Sequence, residues 1–126
     1  MPKRRDLEGN IQKQVVRYLR MQYPTVLFTA SIAGIETTML QMVRLKAMGY
    51  LKGTPDLMIL EPSCPIGYTF HGLFIELKAD KKTSKASPEQ KDFIDRLQKR
   101  GYEASICYGF DEAKYVIDSY LRGKIV

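Results

Sequence analysis

The sequence predicts an α/β domain with a mixed central sheet of about four strands flanked by helices, and three observations lead there. Helical and strand-like segments alternate along the 126 residues, the pattern of a layered α/β architecture. Residues 56–60 and 72–78 are apolar runs joined by a loop short enough for antiparallel pairing. A helix opened by Ser87-Pro88-Glu89-Gln90 then separates the second run from a last strand, which is the crossover that a parallel pair requires. At about 100–200 residues per domain, this length gives a single domain, residues 1–126.

From Leu7 to about Gln22 the residues Leu7, Ile11, Val15, Tyr18 and Leu19 recur at helical spacing, with Asp6 as the expected N-cap. Proline disfavours helical geometry in the residue before it, so Tyr23-Pro24 stops this helix. Val26-Leu27-Phe28-Thr29 then has the branched and aromatic content of a short strand. Thr38 to Met48 is expected to form a second helix, ended by Gly49. The turn Gly53-Thr54-Pro55 leads into the run Asp56 to Leu60, and a loop from Glu61 to Tyr68 precedes the run Gly72 to Lys78. Ser87 as N-cap, Pro88 at the first helical position and Gln90 at the third open a helix that extends to Arg100 and stops at Gly101. Glu103 to Tyr108 is the next strand, and Asp111 is expected to cap a last helix with Ala113, Val116, Ile117 and Leu121 on one face.

Twenty Lys and Arg against fourteen Asp and Glu leave a net charge of +6, which attracts anions such as nucleic acid or an acidic membrane surface. No stretch approaches the roughly 18 to 20 apolar residues of a membrane span, and no signal-peptide core follows the start, so a cytoplasmic protein is expected. The two cysteines, Cys64 and Cys107, form neither a CxxC pair nor a disulfide framework and are expected to be reduced thiols. One histidine, His71, rules out most zinc sites and fits a loop or strand edge. Tyr18, Tyr23, Tyr50, Tyr68, Tyr102 and Tyr108 are assigned to core and rim packing.

The chemistry centres on Asp56, Glu76 and Lys78. In a strand, residues i and i+2 share a face, so Glu76 and Lys78 point the same way with Cα atoms about 6 to 7 Å apart. Ile75 and Leu77 point to the other face. Burying such charges costs several kcal/mol each unless they are paired or hold a metal. An exposed strand face with an ordinary ion pair is the simpler reading of Glu76 and Lys78 alone. With Asp56 opening the neighbouring strand, two carboxylates converge beside one ammonium, a hard-oxygen set suited to Mg²⁺ or Mn²⁺.

Gly53-Thr54-Pro55-Asp56-Leu57, followed by Gly72-Leu73-Phe74-Ile75-Glu76-Leu77-Lys78 and Ser87-Pro88-Glu89-Gln90, resembles the VRR-NUC (virus-type replication-repair nuclease) branch of the PD-(D/E)XK nucleases, in its stand-alone form. The resemblance extends from about Glu8 to Leu121. It implies a restriction-endonuclease-like core in which Asp56, Glu76 and the backbone carbonyl of Leu77 hold the metal, and Lys78 orients or activates the attacking water. It implies a site role for Gln90, which a capping box alone would also explain, and for Glu8, as a second-metal or water-orienting group. An acidic residue in the first turn of a helix is also favoured by the macrodipole. The loop from Thr29 to Gly34 departs from the family's pattern, since many relatives carry an Asn near here and this chain has Ser31 and Ile32.

The resemblance further implies a Mg²⁺- or Mn²⁺-dependent endodeoxyribonuclease of DNA repair, recombination or phage replication, acting on branched DNA such as four-way junctions, with no organic cofactor. A two-fold homodimer suits such a substrate, because it presents two sites to two strands. Lys81, Lys82 and Lys85, in the loop after Glu-x-Lys, and Lys3, Arg4 and Arg5 at the start are candidate phosphate contacts. The competing readings are a non-catalytic structure-selective DNA-binding module and an RNA-directed nuclease.

Overall fold

The computed structural model describes residues 3–32, 35, 37–63 and 67–122, and at 4 and 5 the backbone path alone. Helix α1, Arg4–Gln22, begins earlier than the apolar period suggests, with Lys3 as its N-cap and no side-chain cap. Asp6 therefore does not cap this helix. It lies inside the first turn, where its charge complements the macrodipole. Strand β1, Phe28–Ala30, sits two residues later than the branched run, because pairing of Phe28 with Ile59 and of Ala30 with Leu57 sets its limits. Helix α2, Met39–Ala47, is opened by Thr38, whose side chain accepts from the Gln41 N–H in a capping box.

Strands β2, Leu57–Ile59, and β3, Leu73–Lys78, pair antiparallel as expected. Helix α3, Pro88–Gln98, opens with the Ser87 and Gln90 capping box. Strand β4, Glu103–Tyr108, then pairs parallel with β3. Helix α4, Phe110–Leu121, has Gly109 and not Asp111 at its N-cap position, and Asp111 lies in its first turn. The reason is local: Gly109 adopts φ +88°, and Glu112 at the third helical position reaches back to accept from the Tyr108 N–H at 3.0 Å.

The sheet order is β1-β2-β3-β4, and alternation along the strands sorts the side chains onto two faces. Leu73, Ile75 and Leu77 of β3, with Leu57, Ile59 and Cys107, pack on Val15 and Leu19 of α1 and on Ala113, Ile117 and Tyr120 of α4. Each of the larger side chains contributes about 1.5–3 kcal/mol of burial. The opposite face of β3 carries Phe74, which packs with Ile94 and Leu97 of α3, Ala104 and Ile106. Glu76 and Lys78 continue that same face and so meet the start of α3. Burial pushes the Cys107 thiol up to about 12, so it stays protonated; Cys64 lies outside the described residues. His71 is exposed just before β3, its ring edge-on to Tyr102 at 5.5 Å. Among the described residues no helix is long and apolar enough to cross a membrane.

Candidate metal and catalytic site

Three charged side chains that sequence alone leaves open to solvent are buried: Asp56 is 9%, Glu76 2% and Lys78 7% exposed. The β2–β3 pairing ends at Leu57 and Ile75, and the Asp56 side chain takes over from the ladder by accepting from the Leu77 N–H at 2.7 Å. Because N–H and C=O of one strand residue point to the same side, the Leu77 carbonyl lies on the edge that faces Asp56. Lys78 Nζ stands 3.7 Å from Glu76 Oε2, and Gln90 Nε2 donates to that same oxygen at 3.1 Å. Gln90 also keeps its cap, its Oε1 accepting from the Ser87 N–H at 2.9 Å. One side chain thus keeps the cap with its oxygen and contacts Glu76 with its nitrogen.

The other Glu76 oxygen, Oε1, is buried without a hydrogen-bond partner. Burial first, and then the Asp56 carboxyl, push Glu76 up to about 9. Asp56 is raised as well, by burial, against the lowering effect of the Leu77 N–H. Two carboxyls this close cannot both ionise cheaply in a desolvated site, so without a cation they share a proton. A divalent ion fits there: it supplies the charge that the pair lacks and a partner for Oε1. Among the described residues no three His, Cys, Asp or Glu side chains cluster as a full ligand set.

Glu8, on the first turns of α1, is close enough to raise both Asp56 and Glu76, and its Oε2 accepts from Ser84 Oγ at 3.1 Å. Ser84 is fully buried and carries no sequence signal beyond its place in a Ser/Thr-rich loop. That loop is ordered by Asp80, whose Oδ1 accepts from the Lys82 and Thr83 N–H groups at 2.8 Å each. Lys81, Lys82 and Lys85 are exposed on it; Lys81 lies 3.9 Å from Glu112 and 5.7 Å from the Tyr108 ring centre. Lys3 is exposed, and the Arg4 and Arg5 side chains lie outside the described residues.

Tyr50, assigned by sequence to packing, stands within electrostatic reach of the site, since burial and then the charges of Glu76 and Asp56 raise its hydroxyl. It lines a cleft of about 380 Å³ with Lys46, Lys52, Ser87 and Gln90. The backbone of Ser31 donates to the Asp56 carbonyl at 2.9 Å, which ties the 29–34 loop to the site; residues 33 and 34 of that loop lie outside the described residues.

A family profile described as "VRR-NUC domain" matches residues 5–111. A solved structure titled "VRR_NUC domain protein" superposes with a TM-score of 0.73 at 28% identity, covering 94% of this chain and 90% of that one. A second, titled "VRR_NUC domain", has a TM-score of 0.55 at 23% identity over 89% of this chain and 95% of that one, a likeness of fold. No curated protein matches the sequence.

Proposed function

The chain belongs to the VRR-NUC domain family and so carries a nuclease-type domain, and from that premise we propose that it is a Mg²⁺- or Mn²⁺-dependent endonuclease hydrolysing phosphodiester bonds in DNA. The observation that carries this reading is the buried Glu76–Lys78 pair beside Asp56, with one Glu76 oxygen lacking any partner. A structural ion pair would satisfy its acceptors with protein donors. Here two buried carboxyls face each other beside a single ammonium, and Glu76 Oε1 receives no N–H donor from the protein.

Asp56, Glu76 and the Leu77 carbonyl would hold the cation, which polarises the scissile phosphate and acidifies the attacking water. Lys78 holds that water against the Glu76 carboxylate and offsets negative charge developing on the phosphate. Gln90 fixes the orientation of Glu76, so that little reorganisation accompanies reaction. Ser84 fixes Glu8, which orients a water or supports a second cation. The same reading includes branched DNA as substrate and a two-fold homodimer in the cytoplasm, serving repair, recombination or phage replication. In support of a second copy, α2 buries no side chain, and Met39, Leu40 and Val43 stay exposed along it.

The test is incubation of wild-type protein with labelled four-way-junction, flap and linear duplex DNA, and with RNA counterparts, in Mg²⁺, Mn²⁺ or EDTA. Cleavage of DNA with either metal and none in EDTA is expected, with the branched DNAs cut faster than the linear duplex. Binding without cleavage under every metal would make the protein a DNA-binding module, and preferential cutting of RNA would replace the substrate.

A further inference from the structure

Lys13, Arg17 and Arg20 follow one another along α1 at intervals of four and three residues and therefore share one face of the helix. They line a groove of about 620 Å³ between α1 and the edge strand β1, together with Val16, Met21 and Ile35. Met21 is 70% and Ile35 62% exposed, so the fold itself does not account for either side chain. No acidic residue is among the described lining, and among the described residues none of the three cations has a carboxylate partner. Lys52, Lys81, Lys99 and Lys114 by contrast each lie within 4 Å of one.

The groove begins at the candidate site. Gly9, which follows Glu8, lies at its wall, as does Ser31, whose backbone is bonded to Asp56. At a rise of 1.5 Å per residue, the helix carries the row of cations from about 7.5 Å to about 18 Å beyond Glu8.

We infer that this groove holds an unpaired DNA strand adjoining the scissile phosphate, with its phosphates on Lys13, Arg17 and Arg20 and its bases against Val16, Met21 and Ile35. The inference rests on the nuclease reading and adds the state of the substrate beside the cut. Charge complementarity selects a polyanion, and the apolar wall selects an unpaired one: a duplex keeps its bases stacked inside and presents mainly phosphates to a groove, whereas an unpaired strand offers phosphates and base faces together.

The experiment is fluorescence anisotropy in EDTA with a blunt duplex and the same duplex bearing a single-stranded extension, over a range of salt. Wild type is compared with the Arg17→Ala/Arg20→Ala and Arg17→Lys/Arg20→Lys pairs and with Met21→Ser. Wild type is expected to bind the extended DNA about tenfold more tightly than the blunt one. The alanine pair loses that preference, and its slope of log affinity against log salt falls by about 1.4, at about 0.7 per phosphate contact on a single strand. The lysine pair keeps most of the slope, while Met21→Ser weakens the extended DNA alone. Equal binding of both DNAs by wild type, or equal weakening of both in the alanine pair, overturns the inference. Cleavage scored separately with metal keeps the two readings apart: preference without cutting upholds the groove and sinks the nuclease, and cutting without preference does the reverse.

Discussion

Lys78 is the residue on which burial and chemistry meet. The residue is 7% exposed, with its ammonium beside a carboxylate, and an ion pair so desolvated adds little net stability. Lys78→Met is therefore expected to leave the domain folded, with Glu76 simply keeping its proton, while single-turnover cleavage falls at least about 100-fold. Far-UV circular dichroism and rate measured on the same sample check both halves. Asp118 illustrates a purely structural charge. Burial alone would raise its carboxyl, but hydrogen bonds from Tyr18 and Tyr23, each at 2.6 Å, outweigh that and hold it below its ordinary value. A depressed acid contributes stability above its unfolded-chain pKa, near 3.8, and loses it as pH falls through the lower folded value. Asp118→Asn is expected to cost on the order of 1–3 kcal/mol at pH 7 and almost nothing well below pH 3.8, measured by urea unfolding at both.

Among the elements, α3 was the most legible, because Ser87, Pro88 and Gln90 are each a local signal for the same helix start and the capping box forms as written. Ser87→Ala is expected to cost about 1 kcal/mol, and by loosening the Gln90 side chain it slows cleavage, though less than Gln90→Ala, which also removes the donor to Glu76. Comparing the two variants by urea unfolding and by rate separates the cap from the site. The turn at Gly53 locks against this helix: it has φ +97°, and an added Cβ would lie 2.4 Å from the Glu89 carbonyl oxygen. Gly53→Ala is thus expected to lower stability by about 1–3 kcal/mol, read from the same unfolding curves. The starts of α1 and α4 were less legible, since Asp6 and Asp111 are favourable in a first turn as well as at a cap. Composition does not distinguish the two places; the glycine conformation at 109 and the reach of Glu112 do.

At the scale of the whole molecule, strand alternation and the order of elements made the mixed sheet and the shared face of Glu76 and Lys78 readable. The depth of their burial was not, because it depends on α3 and the 79–86 loop closing over that face. Ser84 and Tyr50 reach the site only through such tertiary closure, and the Lys13, Arg17 and Arg20 row becomes a groove only once β1 lies beside α1. The exposed apolar face of α2, with Met39 86% exposed, predicts self-association: sedimentation equilibrium is expected to give twice the chain mass for wild type and the single mass for Met39→Lys/Val43→Glu, and a monomeric wild type would remove the dimer from the proposal. The most direct measurement is single-turnover cleavage of a labelled four-way junction in Mg²⁺ by wild type, Asp56→Ala and Lys78→Ala, with Mn²⁺ binding followed by titration calorimetry on the same proteins. Cleavage by wild type alone, with Mn²⁺ binding lost in Asp56→Ala and kept in Lys78→Ala, is the predicted result. Undiminished cleavage in either variant would contradict the assignment of this site.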